Sequence, residues 1–328
     1  MASKEEMPEP RRWKFHRLAG HMVWCLAGIL LTLAWCWSLL VLWFFPQWHS
    51  GAQITTSLLW VFLSLIGLLR VNRKTYSCAI LLGVTVTTIV WSSVFPSNYR
   101  QWTDDQVRMP LANFEGNLVT VENVRHATYR TVDDCDVQWE TRQFDLNVLE
   151  SMDFVVERFG LRRGPVHTFL TFGFADGEYI EKGESFSPLH GLFKHYELMY
   201  VVGDERDLID LRANIRKNSV WVFPIRAKKQ KVRQIFLAML ERANRLRQDP
   251  EFYHTLTSTC FSNIVRHVNE LNIHPIPYTY HVLLPGYSDD LVYNRGGMDF
   301  EGTFDDARAR FRINGRSEFT DDGRVWSG

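Results

Sequence analysis

Between Leu18 and Leu69 the sequence has no Asp, Glu, Lys or Arg. An uncharged stretch of that length excludes ordinary solvated helices. It can hold two segments of the roughly 20 apolar residues that cross about 30 Å of hydrocarbon. Acidic residues are scarce around it: residues 1–99 carry eight basic side chains against three acidic ones, while the rest of the chain carries 29 against 34. The formal net charge of zero over 328 residues therefore conceals a first part at +5 and a second at −5. With its globular part mildly acidic, the chain is not built to bind nucleic acid. Cysteine is sparse too, and five in 328 residues exclude a disulfide scaffold. Repeats and low-complexity tracts are missing, and 46% apolar residues with 12 Trp exclude disorder.

The apolar runs divide the chain. Leu18–Leu69 reads as two membrane spans joined by a hairpin at Pro46–Gly51, and Thr75–Tyr99 supplies a third. The first run is too long for the h-region of a signal peptide. Arg11, Arg12, Lys14 and Arg17 precede the first span, and Arg70, Arg73 and Lys74 join the second to the third. The positive-inside rule then predicts a cytoplasmic N-terminus and an extracytoplasmic C-terminal part. The expected division is a cytoplasmic segment at 1–17, three transmembrane helices in 18–97 and a periplasmic domain at 98–328. Without an ionisable residue deep in a span, transport has no support. Trp24, Trp35, Trp43 and the other tryptophans of this region read as interfacial or lipid-facing anchors.

Beyond Asn98 the pattern is that of an α+β domain. Strands are expected at Leu118–Thr131, Val137–Leu146, Val166–Phe174, Glu197–Val202 and Val220–Ile225. Asp204–Arg216 reads as a helix with acidic residues first and Arg212, Arg216 and Lys217 last, as the dipole favours. Lys228–Gln248 carries an apolar stripe from Val232 to Leu246, and Asp249-Pro250 ends it.

Two thiols lie in this domain. Cys135 sits between Asp134 and Asp136, whose charges oppose a thiolate. Cys260 follows Ser258 and Thr259, either of which suits an N-cap, and it opens a segment with Phe261, Ile264, Val265 and Val268 on one face. A thiol in the first turn of a helix faces unpaired N–H groups and the positive dipole end, which favour a thiolate and can hold an oxyanion. The alternative is a Cys135–Cys260 disulfide, which an oxidising compartment permits. A nucleophile needs a base, and His167 stands out because it opens the apolar strand Val166–Phe174; a buried, hydrogen-bonded core histidine is the competing reading. His190, His195 and Glu197 lack a standard metal spacing, so neither metal nor cofactor is expected.

Four blocks carry a resemblance: Val166–Phe174, Tyr196–Asp207, Pro250–Cys260 and Leu283–Ser288. In this order the domain resembles the bacterial Lnb family, of lipoprotein N-acyltransferase type, over nearly all of 118–315. The resemblance implies a circularly permuted papain-like (NlpC-type) fold in which a strand histidine precedes a helix-N-terminal cysteine, and His167 and Cys260 match that order. It implies ping-pong acyl transfer: Cys260 attacks an ester of a phospholipid or lipoprotein donor with His167 as base, and a lipoprotein amine takes the acyl chain. Thr259 stands where relatives usually have Asn, and His254 where they tend to have Asn as well. Tyr253, His254 and Thr259 are thus candidate oxyanion or supporting residues. A Ser-Val-Glu-x-Arg strand, the place for a residue orienting the histidine, is not evident after Phe174, leaving Glu181 or Glu184 as candidate third residues. A non-catalytic lipid- or lipoprotein-binding relative, or a cysteine peptidase or amidase of the same fold, are the alternatives.

Overall fold

The structure is a computed structural model, and it describes residues 10–314 apart from 47, 101, 133, 161–165, 175–178, 182–187 and 272–274. It divides into two units, Met1–Phe95 with Phe193–His195, and Pro96–Leu192 with Tyr196–Gly328.

The first unit is three helices: α1 (Pro10–Trp43), α2 (Ser50–Arg70) and α3 (Arg73–Ser92). Each contains a stretch long and apolar enough to cross a membrane, His21–Trp43, Ser50–Arg70 and Arg73–Ser92. Several of their polar side chains find partners inside the unit. Trp35 Nε1 donates to Ser64 Oγ at 2.9 Å, linking α1 to α2, and Asn72 caps α3 by accepting from Thr75 N at 3.0 Å. Lys194 Nζ lies 3.2 Å from each of the carbonyls of Trp91, Ser92 and Val94, a cation placed at the negative end of α3.

The second unit is α+β. Its elements begin with strands β1 (Leu111–Glu115), β2 (Leu118–Tyr129), β3 (Cys135–Asp145), β4 (Leu149–Arg158), β5 (Val166–Phe174) and β6 (Tyr179–Glu181). Helix α4 (Pro188–Leu192), strand β7 (Gly203–Asp204), helix α5 (Glu205–Asp210) and strand β8 (Ser219–Pro224) follow. The chain then runs through α6 (Lys229–Gln248), α7 (Cys260–Glu270), α8 (Tyr280–Leu283), α9 (Ser288–Asn294) and α10 (Phe304–Arg310). One eight-stranded sheet has the order β1-β2-β7-β6-β5-β4-β8, with β3 also paired to β2. The pairs are antiparallel except β2 with β7.

Strand β5 is buried at every position because both of its faces are covered, which explains its unbroken apolar run. Phe154, Leu170, Phe172 and Phe223 join the core beneath α6 and α7, while Val155, Phe169 and Val220 pack with Ile209 and Ala213 on the other side. The stripe predicted on Lys228–Gln248 is buried in α6 from Val232 to Leu246.

Three expectations about local structure change. Glu197–Val202 is not a strand of the sheet. It is buried extended chain, held by Leu198 N to Glu251 O at 2.7 Å and Arg125 N to Val202 O at 2.7 Å. The segment Asp204–Arg216 starts as α5 but widens at Leu211–Ile215 into a π-turn, with Arg216 N bonded to Leu211 O at 2.8 Å. Arg212 is therefore not a surface cation at a helix end: it is buried, with Nε 3.0 Å from Glu157 Oε2. Between β5 and β7, where no strand was evident, the three-residue β6 pairs with Phe172 and Gly173.

Asp153 on β4 is a half-buried carboxyl opposite Thr171, whose Oγ1 donates to it at 3.5 Å. Burial pushes its pKa up to about 6, the hydroxyl only partly offsetting this. An acid whose folded pKa lies above its unfolded value, about 3.9, carries no penalty while both states are protonated; the penalty grows as pH rises from about 4 to about 6 and then levels off. Asp153→Asn is thus expected to leave stability near pH 4 unchanged and to raise it by ~2–3 kcal/mol at pH 7–8. Thermal unfolding across that range checks it, and a gain that is the same at every pH would refute the assignment.

Candidate active site

Cys260 is the first residue of α7. Thr259 caps the helix: its Oγ1 accepts from Ser262 N at 3.0 Å, and Ser262 Oγ accepts from Thr259 N at 2.7 Å. This reciprocal box fixes where the helix starts and holds the thiol at its positive end. Cys260, Asn263, Ile264 and His267, spaced i, i+3, i+4 and i+7, present one face of α7 to a cleft of about 640 Å³, open solvent at its mouth included. His167, Thr168, Leu198, Tyr200 and Tyr253 also line this mostly apolar space.

Strand β5 brings His167 and Thr168 to the cleft. In β5 successive side chains alternate, with Val156 opposite Thr168 and Glu157 opposite His167. Thr168 Oγ1 donates to Cys260 Sγ at 3.4 Å. The ring of His167 lies toward Phe169, 5.4 Å between centroids. Strand β6 pairs only with Phe172 and Gly173, so this half of β5 has no ladder partner on that side among the described residues, and the cleft occupies the gap.

The other residues singled out from sequence fall as follows. Tyr253 lines the cleft, buried. Thr259 is committed to capping, and its carbonyl accepts from Asn263 Nδ2 at 2.8 Å. His254 sits in the preceding turn, where its Nδ1 accepts from Leu256 N at 3.3 Å, and it is not among the residues that line the cleft. Glu181 belongs to β6 without a described side chain, and Glu184 lies outside the described residues. The Glu197 carboxylate is taken by Arg100 and by Ser97 N at 3.2 Å. Among the described residues no group of three or more His, Cys, Asp or Glu is placed to hold a metal.

Neither Cys135 nor Cys260 forms a disulfide, so the disulfide alternative does not hold. The Cys135 thiol is pushed up by its burial first and by the charge of Asp105 next. Asp134 and Asp136, the neighbours expected to do this, instead pair with Arg130. Three further residues of the cleft are Thr168, Asn263 and His267. Thr168 was legible as the residue after His167 on an alternating strand. Asn263 and His267 were legible from their helical spacing to Cys260. His267 Nε2 lies 2.8 Å from the Tyr200 hydroxyl, and Asn263 Oδ1 is buried with no protein partner among the described residues.

Residues 136–286 match the family model for the Lnb N-terminal periplasmic domain. This domain belongs to the Lnb family. The match runs from β3 to the turn at Pro285–Tyr287 and includes both His167 and Cys260. No curated protein and no solved structure matches the chain. With three apolar spanning helices ahead of an Lnb domain, this is an inner-membrane protein with a periplasmic domain.

Proposed function

We propose that the Lnb domain is a thiol acyltransferase working through an acyl-Cys260 intermediate on lipids or lipoproteins. The observation that carries this reading is a cysteine outside any disulfide at the first position of a capped helix, in an apolar cleft shared with His167. His167 acts as general base. Cys260 Sγ attacks the ester carbonyl carbon, the carbonyl oxygen becomes an oxyanion against the N-terminal amides of α7, and the alcohol leaves with the proton that His167 took. The α-amine of a lipoprotein then attacks the thioester, forming an amide and returning the thiol. Asn263 Oδ1 is available to accept from that amine's N–H. The Thr168 hydroxyl stabilises the sulfur anion between the two steps. The order of a histidine strand followed by a cysteine helix packed on the sheet supports a permuted papain-like fold.

Membrane topology supports the same reading. The basic residues flanking the spans favour a cytoplasmic N-terminus, which leaves the domain beside the outer leaflet where acyl donors lie. A phosphatase fused after Gly328 is expected to be active only in the periplasm; cytoplasmic activity would reverse this orientation.

The direct test is to incubate the purified full chain with phosphatidylethanolamine vesicles and digest it for mass spectrometry. An acyl mass is expected on the Cys260 peptide, removed by hydroxylamine, and it should disappear when a lipoprotein amine is added. No adduct at Cys260 under any acceptor condition would refute the acyl-enzyme and leave a lipid-binding domain.

A further inference from the structure

Helix α7 walls a second cavity, on the face adjoining the one that carries Cys260. Ile264 borders both spaces, whereas Phe261, Val265 and Val268 border only the second. Phe154 and Leu170 of the sheet, Ile235 of α6 and Leu291 of α9 close it from the other sides. Its volume is about 510 Å³, within the roughly 300–1,000 Å³ of ordinary ligand pockets.

Charge says what fills it. Arg226, Lys228, Lys231 and Arg295 stand around this apolar space, and among the described residues no acidic side chain lines it. Arg226, Lys228 and Arg295 are exposed, which places them at the mouth. Lys231 Nζ donates to the carbonyl of Leu271, and Arg226 Nε lies 3.0 Å from Asp299 Oδ1 in an exposed pair of little weight. An apolar interior lined at its mouth by Arg226, Lys228 and Arg295, with Asp299 paired to the first of them, matches a hydrocarbon chain that ends in an anion.

We propose that this cavity binds a long-chain fatty acid, chain inward and carboxylate at the Arg226–Lys228–Arg295 rim. The proposal stands whether or not Cys260 reacts, since a free carboxylate has no leaving group for a thiol to displace. The experiment therefore uses the full chain in nanodiscs with myristic acid bearing a terminal diazirine, photolysed and mapped by peptide mass spectrometry. Labels are expected on the α7 segment Phe261–Val268 and on Leu291–Val292. A Lys228→Glu/Arg295→Glu variant, altered only at exposed positions, should lose about tenfold in labelling, as removal of charge-assisted contacts predicts. Val268→Trp should fill the space and block the label. The methyl ester of the same probe should label as weakly as the charge variant. Labels confined to α1–α3 or to the Cys260 cleft, or equal labelling by acid and ester, would overturn the site.

Discussion

Replacing Cys260 by alanine is expected to lower acyl transfer on the order of 10⁴–10⁶-fold, the scale on which removal of a covalent nucleophile acts. The variant should fold normally, because the box that starts α7 is made by Thr259 and Ser262 and does not use the thiol. Cys135→Ala is the matched control: that thiol lies on β3 and is pushed toward the neutral form by burial and by Asp105. His167→Gln should cost at least about 10²-fold, the usual range for a positioned base, and should flatten the acidic limb of the pH–rate profile. The measurement is complementation of cells lacking their lipoprotein acyltransferase, followed by mass spectrometry of lipoprotein N-termini. Full complementation by Cys260→Ala would end the enzymatic account. A rate loss in His167→Gln with an unchanged pH profile would reduce His167 to a positioning residue.

How far these features could be read in advance differed with the kind of order involved. Leu18–Leu69 announces its spans because the absence of charge over such a length has few other physical explanations. Strand β5 and helix α6 were legible since each repeats one rule over many residues. Cys260 was legible through Thr259, since capping is local chemistry. Strand β4 was not anticipated: Glu150, Asp153, Glu157 and Arg158 interrupt it, and their charges look solvated until the fold supplies Arg212 for Glu157 and Asp289 for Arg158. The same blindness hid the partner of Cys135, for Asp105 approaches from thirty positions earlier in the chain. Alternation along β5 carries a lesson of its own. Strict alternation would give the cleft only one of two adjacent residues, yet both His167 and Thr168 line it, and Thr168 also donates to the sulfur.

The second large effect lies away from the cleft. Asp207→Ala is expected to destabilise the domain by about 3–5 kcal/mol, as breaking one side of a buried ion pair does, against a typical total of about 5–15. Asp207 receives both Arg125 Nε and a terminal nitrogen of the same guanidinium at 2.9 Å, and it also accepts from Ala127 N at 2.8 Å. Both side chains are almost wholly buried. Burial pushes the Asp207 carboxyl up, and the two-pronged Arg125 guanidinium only partly offsets this. This pair joins β2 to α5, beside the turn where the chain passes through β7. Removing the carboxylate leaves the buried cation with only the more distant Asp105 Oδ2, 3.4 Å away, so Asp207→Asn should recover only part of the loss. Replacing both partners by Leu and Met removes the stranded charge and should cost less than Asp207→Ala alone, although Ala127 N and the Asp105 carbonyl lose their partners. A double-mutant cycle on denaturant unfolding measures the coupling. If the double replacement proves as damaging as the two single ones added together, the pair is uncoupled and this explanation of its burial fails.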